Sequence, residues 1–206
     1  MGKFSVYRRY GTSGIIWNIC MKVVSLFGFK GFQILKLMAV DLSNTDFVRY
    51  SLQDYKPRIL TIKDFEDAIQ SDPQKYTPDY LQSIKRRFSD SCYHCVGIIN
   101  DDHLMSFGWI CIGRYPLTKR KLRENAAFLF NDYTSPSDRG QGLHQVVINY
   151  RLQWLKEKGC DIAYSSVAMY NKASYKGFVK SGMRTKRIYA IWGEKDLSMT
   201  LRNIFK

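Results

Sequence analysis

From residue 126 to residue 167 the chain runs strand, glycine turn, helix, strand, and this order most narrows what it can fold into. Ala126 to Thr134 is an apolar, aromatic-rich run that reads as a strand. After the turn, Leu143, Val146, Val147, Tyr150 and Trp154 recur at i, i+3, i+4, i+7 and i+11, one face of a helix. Lys156 and Lys158 suit the negative end of that helix, and Gly159 closes it. Asp161 to Val167 is the next strand. A strand that returns through a helix to a second strand makes a parallel crossover.

Around this unit the pattern is mostly antiparallel. Phe32 to Leu42 and Ile59 to Ile62 read as strands, Lys63 to Gln70 and Thr77 to Phe88 as helices, with Pro73 and Pro78 as breakers. His94 to Ile99 and Leu104 to Ile112 flank Asn100-Asp101-Asp102-His103, a hairpin with a polar turn. Asn171 is placed to cap a helix that ends before Gly182, and Arg187 to Trp192 is a final strand. The predicted fold is α+β: a central, mostly antiparallel mixed sheet with one parallel strand–helix–strand crossover, flanked by helices. Residues 33–206 are expected to form a single domain behind an N-terminal extension, residues 1–32. In that extension a helix near 13–27 puts Ile16, Cys20, Val23 and Phe27 on one face. Two roles are open for it: docking on the domain, or resting on a membrane surface as a basic amphipathic helix. The basic tail is left unassigned.

With 45% hydrophobic and 15% aromatic residues the chain can bury a substantial core, which excludes a disordered protein. Its charge of +14, from 32 Lys+Arg against 18 Asp+Glu, attracts anions: nucleic acid, an anionic membrane face or a phosphate-rich ligand. Arg114, Lys119, Arg120, Lys121 and Arg123 concentrate in one loop, either a solvated surface or a contact for an anionic ligand. Five scattered cysteines argue against a secreted disulfide scaffold. Cys92-Tyr93-His94-Cys95 is half of a zinc motif without a second ligand pair, so no metal is expected. No cleavable signal peptide or membrane-spanning run is evident, and a cytoplasmic, or membrane-peripheral, location is expected.

The turn Ser135-Pro136-Ser137-Asp138-Arg139-Gly140-Gln141-Gly142 opens a helix whose first N–H groups lack intrahelical partners. With the helix dipole, these make an anion site, and Gly140 and Gly142 remove side chains that would block a diphosphate. It is neither a Walker loop nor a dinucleotide fingerprint. Arg139 and Gly142 instead resemble the acyl-CoA signature of the GNAT superfamily of N-acyltransferases: Arg or Gln, two residues, Gly, one residue, then Gly or Ala. His144 stands at the last position, a departure. Asn171, Ser174, Lys180 and Gly182 fit the family's next helix, but its tyrosine position carries Phe178. The resemblance covers about residues 58–193.

This resemblance implies direct acetyl transfer from acetyl-CoA to a primary amine. It implies that Arg139, Gly140, Gln141, Gly142, Leu143 and His144 hold the diphosphate. Asp132, Tyr133 and Thr134 would pair with the pantetheine, and Asn171, Ser174 and Phe178 would complete the site. Strand alternation places Phe128, Phe130 and Asp132 on one face, which leaves Asp132 as the catalytic base candidate, with Glu124, His103 and His144 behind it. The aromatic residues Phe107, Trp109, Phe128, Phe130 and Tyr133 are either core or the wall of an acceptor pocket. The expected acceptor is a small amine, with a nucleotide-linked amino sugar preferred because cations in the 114–123 loop suit a diphosphate. A peptide or protein amine acceptor and a non-catalytic acyl-CoA-binding domain are the alternatives. A nucleic-acid binder is a distant one, because it accounts for the charge but not for the glycine turn.

Overall fold

The computed structural model describes residues 12, 16, 19–20, 32–45, 55–71, 78–117 and 119–192. Most of the expected N-terminal helix and the whole basic tail lie outside the described residues. Ile16, Ile19 and Cys20 are helical, and their side chains are exposed. Among the described residues no helix is long and apolar enough to cross a membrane.

The elements follow the sequence pattern closely: β1 Phe32–Asp41, β2 Arg58–Leu60, α1 Ile62–Ser71, α2 Pro78–Phe88, β3 Tyr93–Asn100, β4 His103–Ile112, β5 Ala126–Thr134, α3 Leu143–Glu157, β6 Ile162–Ala168, α4 Lys172–Lys180 and β7 Arg184–Trp192. The strands form one seven-stranded sheet in the order β2-β3-β4-β5-β6-β1-β7. Only β5 and β6 run parallel, joined through α3; the other neighbours are antiparallel. The β3–β4 turn is made by Asp101 (φ 45°) and Asp102 (φ 61°). Two successive left-handed residues match a tight hairpin turn to the twist of its strands.

Helices cover both faces. On one, α3 and α4 bury Val146, Val147, Ile148, Leu152, Leu155 and Phe178 against Met38, Ile110, Leu129 and Ala163. On the other, α1 and α2 bury Phe65, Ala68 and Ile84 against Cys95, Phe107, Trp109 and Cys111. Next to them the 113–125 loop folds over Leu35, Leu37, Phe128 and Tyr164 through Tyr115 and Leu122. α3 packs on more sides than its predicted single stripe: Tyr150 and Trp154 are only half-buried, while Ile148, Arg151, Leu152 and Leu155 are fully enclosed.

The β5–β6 ladder ends early. It runs from Ala126↔Ile162 to Leu129↔Ser165, closed by the Ser165 hydroxyl donating to the Leu129 carbonyl at 3.0 Å. Beyond that point β5 stays on β4 to Thr134, and β6 stays on β1 to Ala168. The sheet therefore opens between two strands above the parallel pair.

Candidate active site

The opening between β5 and β6 leads into a cleft of about 420 Å³ at the N-terminus of α3. Asp132, Tyr133 and Thr134 of β5 form one wall, Arg139 to His144 (Gln141 excepted) the floor, and Asn171, Ser174, Lys176, Gly177 and Lys180 of α4 the other wall. Gly140 (φ 87°) and Gly142 (φ 80°) are both left-handed, with nothing within 4 Å of where a Cβ would stand. Their lack of side chains thus serves backbone conformation and open space, not close contact within the protein. Among the described residues, the first backbone donor of α3 with a partner is that of Gln145, which reaches the Gly142 carbonyl at 2.9 Å. The N–H groups before it are left for an anion at the positive end of the helix. Arg139, Lys176 and Lys180 add cations around this mouth.

The turn is braced from below. Asp138 is buried, accepts from Ser137 Oγ at 3.1 Å, and lies 2.7 Å from Nε2 of His103, the first residue of β4. Burial pushes its carboxyl up, but the His103 and Ser137 contacts outweigh this and hold it below the usual value. His103, a base candidate from sequence, is therefore a strut for the loop. α4 is fixed at both ends: Asn171 Oδ1 caps Ser174 N at 3.1 Å, as its position predicted. At the other end Ser181 Oγ donates to Asn149 Oδ1 at 2.6 Å, and Gln145 joins both residues.

Asp132 does not share a face with Phe128 and Phe130, as alternation predicted. β4 pairs Trp109 with Phe130 and then Phe107 with Tyr133, so Asn131 and Asp132 together oppose Gly108. This is a β-bulge, and Asn131 within it takes a left-handed conformation (φ 54°). The extra residue turns Asp132 toward α3, while Tyr133 returns to the Phe130 face and packs against Phe107, with ring centroids 5.3 Å apart and the planes tilted by 31°. Asp132 Oδ1 there meets Arg151 Nη2 at 2.6 Å, and its Oδ2 lies 3.2 Å from His144 Nε2.

Arg151 is wholly buried in the third turn of α3, with Nη1 donating to the Trp109 carbonyl at 3.1 Å. Gly108 makes room for it: a Cβ there would run into the Arg151 guanidinium and the Asp132 carboxylate. Burial alone would raise the Asp132 carboxyl, but Arg151 and His144 hold it below its ordinary value. It is a charged partner at neutral pH, poorly suited to accept a proton. Sequence reasoning missed Arg151 and Gly108. A signal existed for the first, an arginine one turn after buried Val147 on an apolar face.

The remaining candidates divide. His144 faces the cleft and meets Phe178 edge-on at 5.9 Å. Phe178 is 1% exposed, a core residue behind His144 and not part of the cleft wall. Gln141 is exposed and does not line the cleft. Glu124 sits in the 113–125 loop, also outside it. The basic loop is partly committed: Arg114 Nη2 contacts Cys92 Sγ at 2.8 Å, and Lys119 Nζ donates to Tyr93 Oη at 2.6 Å. The Cys92–Cys95 quartet is dispersed, with His94 against Trp154 at 4.8 Å and the Cys95 thiol pushed well up by burial.

The profile of the acetyltransferase (GNAT) family matches residues 58–183, and the chain belongs to that family. Members of this family use acetyl-CoA as acyl donor and act on an amine. Among solved structures, a GNAT-family protein from Novosphingobium aromaticivorans aligns with a TM-score of 0.57 at 16% identity over 78% of this chain and 63% of its own. A GCN5-related N-acetyltransferase from Sphaerobacter thermophilus gives 0.55 at 12% identity over 88% of this chain and 56% of its own. An aminoglycoside 6'-N-acetyltransferase from Acinetobacter baumannii gives 0.50 at 16% identity over 65% of this chain and 93% of its own. These likenesses concern the fold. No curated protein matches the chain.

Proposed function

We propose that the protein transfers the acetyl group of acetyl-CoA to the primary amine of a small molecule in the cytoplasm. The observation that carries this is the cleft itself: free helix N-terminal donors over two left-handed glycines, meeting the parted end of β5. That arrangement fits a diphosphate followed by an extended, amide-bearing arm. Arg139 and the N–H groups up to His144 would hold the diphosphate, Lys176 and Lys180 would screen it, and Tyr133 and Thr134 would pair with the arm. When bound, acetyl-CoA supplies an activated acetyl group at the β5 bulge.

The chain's own residues do the rest. Asn171, Ser174 and Gly177 shape the opposite wall and hold the reactants together, which is a large part of acceleration in a transfer between two bound species. The base assigned to Asp132 from sequence moves to His144 in this proposal. Asp132 is held as an anion by Arg151 and orients the imidazole, and His144 stands in the cleft where Phe178 offers no hydroxyl. His144→Gln is expected to lower kcat about 100-fold with unchanged acetyl-CoA affinity; an unchanged kcat would return the proton transfer to another group. The basic loop and the charge of +14 support an anionic acceptor, of which a nucleotide-linked amino sugar is one form. Calorimetric titration of acetyl-CoA into the wild type tests the whole reading. Micromolar binding, followed by CoA release with a primary amine, is expected; a folded protein that binds none would overturn it.

A further inference from the structure

On the sheet face opposite the Asp132–His144 pair lies a cation that the transfer chemistry above does not use. Arg87, in the last turn of α2, places its guanidinium carbon 5.0 Å from the Trp109 ring and 5.3 Å from the Phe130 ring. Its Nη1 is buried and has no hydrogen-bond partner. Among the described residues no carboxylate pairs with it. Ring faces attract a cation but accept no in-plane N–H, so they offset only part of the desolvation of a charged donor.

The ionisable groups within electrostatic reach of Arg87 are Tyr80, Tyr93 and Cys95. None supplies a negative charge at neutral pH: burial pushes the Tyr80 hydroxyl up to about 12 and raises Tyr93 and Cys95 as well. Lys119 donates to the Tyr93 hydroxyl at 2.6 Å. Lys119 has Asp90 as its counter-charge at 3.9 Å, whereas Arg87 stands against a largely buried aromatic patch with no carboxylate paired to it among the described residues.

The patch adjoins the cleft. Phe130 is the last residue before the bulge that delivers Asp132 to Thr134. Tyr133 lines the cleft, packs against Phe107 on this face, and lies within electrostatic reach of Tyr80. Arg87 thus lies on the Phe130 ring, three residues along β5 from Tyr133 at the cleft wall.

We propose that Arg87 reads an oxyanion, a carboxylate or a phosphate, on the acceptor, so that the enzyme selects anionic primary amines. This rests on the transferase reading and adds to it the residue that sets substrate class. Guanidinium suits this task because its planar N–H fork matches either group.

Two matched sets of probes distinguish the sources: amino acids against their own amides, and amino-sugar phosphates against the parent amino sugars. Each is titrated directly into the protein and also assayed with acetyl-CoA for CoA release. In one set the wild type is expected to favour the charged member about 10- to 100-fold, the margin of a hydrogen bond to a charged group. That set names the anion. Arg87→Gln should erase the margin at unchanged acetyl-CoA affinity. Should that variant fail to fold, Arg87→Lys, which keeps the charge without the fork, is expected to weaken the charged member about tenfold. Equal binding of charged and neutral members by the wild type overturns the inference, as does a margin that survives both substitutions. A wild type that binds no acetyl-CoA overturns the transferase reading instead, and the direct amine titrations tell the two failures apart.

Discussion

Asp132→Ala is expected to lower the unfolding free energy by about 3–5 kcal/mol, the usual cost of removing one partner from a buried ion pair. The other partner cannot escape to solvent. Arg151 is 0% exposed, enclosed by α3 and the sheet, and it otherwise donates to the Trp109 and Val147 carbonyls, which carry no counter-charge. With Asp132 gone, a guanidinium stays in the core without its counter-charge. Replacing both residues with apolar side chains of similar volume should recover most of the loss, because the desolvation of both charges is then avoided. Urea unfolding of the single and double variants is the measurement, and a single variant within about 1 kcal/mol of wild type would refute the buried-pair account.

The same pair makes stability acid-sensitive. In the folded protein burial alone would raise the Asp132 carboxyl, but Arg151 and His144 set it below its unfolded value. Its contribution is therefore complete above the unfolded value of about 4 and is lost as pH falls through the lower, folded one. Asp138, held down by His103 and Ser137 against the opposing effect of burial, acts in the same direction.

Gly142→Glu is expected to weaken acetyl-CoA binding by at least about 1,000-fold while the protein stays folded. Nothing lies within 4 Å of a Cβ at this position, so the substitution meets no obstacle inside the fold. Its structural cost is that of an L residue at φ 80°, on the order of 1–2 kcal/mol. Its functional cost is larger. The new side chain would occupy the space in front of the free α3 donors and bring a carboxylate where the ligand carries phosphates. Calorimetry on the folded variant reads the effect directly. Affinity within about threefold of wild type would mean that the diphosphate lies elsewhere.

The order of elements was legible because it depends on signals that survive in one dimension. The apolar run of β5, the glycine turn and the spaced leucine and valines of α3 mark the parallel crossover and its anion-binding turn in the sequence itself. Asn171 was legible as a cap for the same reason, since a cap is a local bond to its own helix. The errors share a different origin. Alternation put Asp132 with the phenylalanines because a single inserted residue, Asn131, leaves no trace in the hydrophobic period. Its one hint was being asparagine, a residue that tolerates positive φ. Arg151 and Gly108 could be paired only in three dimensions, since they meet across α3 and β4. Phe178 is assigned to the cleft by its place in the motif, yet it faces inward and packs edge-on behind the His144 imidazole.

The early end of the β5–β6 ladder has a consequence for how the molecule resists self-association. Exposed strand edges invite pairing with a second chain, and proteins ordinarily keep them at the rim and blunt them there. Here two such edges, beyond Leu129 and Ser165, are set in the middle of the sheet and face each other across a gap. The cleft at this gap holds about 420 Å³ and is lined by α3 and α4, which Gln145, Asn149 and Ser181 tie together, so a protein strand with its side chains would need them to part. A slender amide-bearing chain needs no such clearance. The gap can thus offer the hydrogen bonds of a β-strand to a small ligand while denying them to a polypeptide.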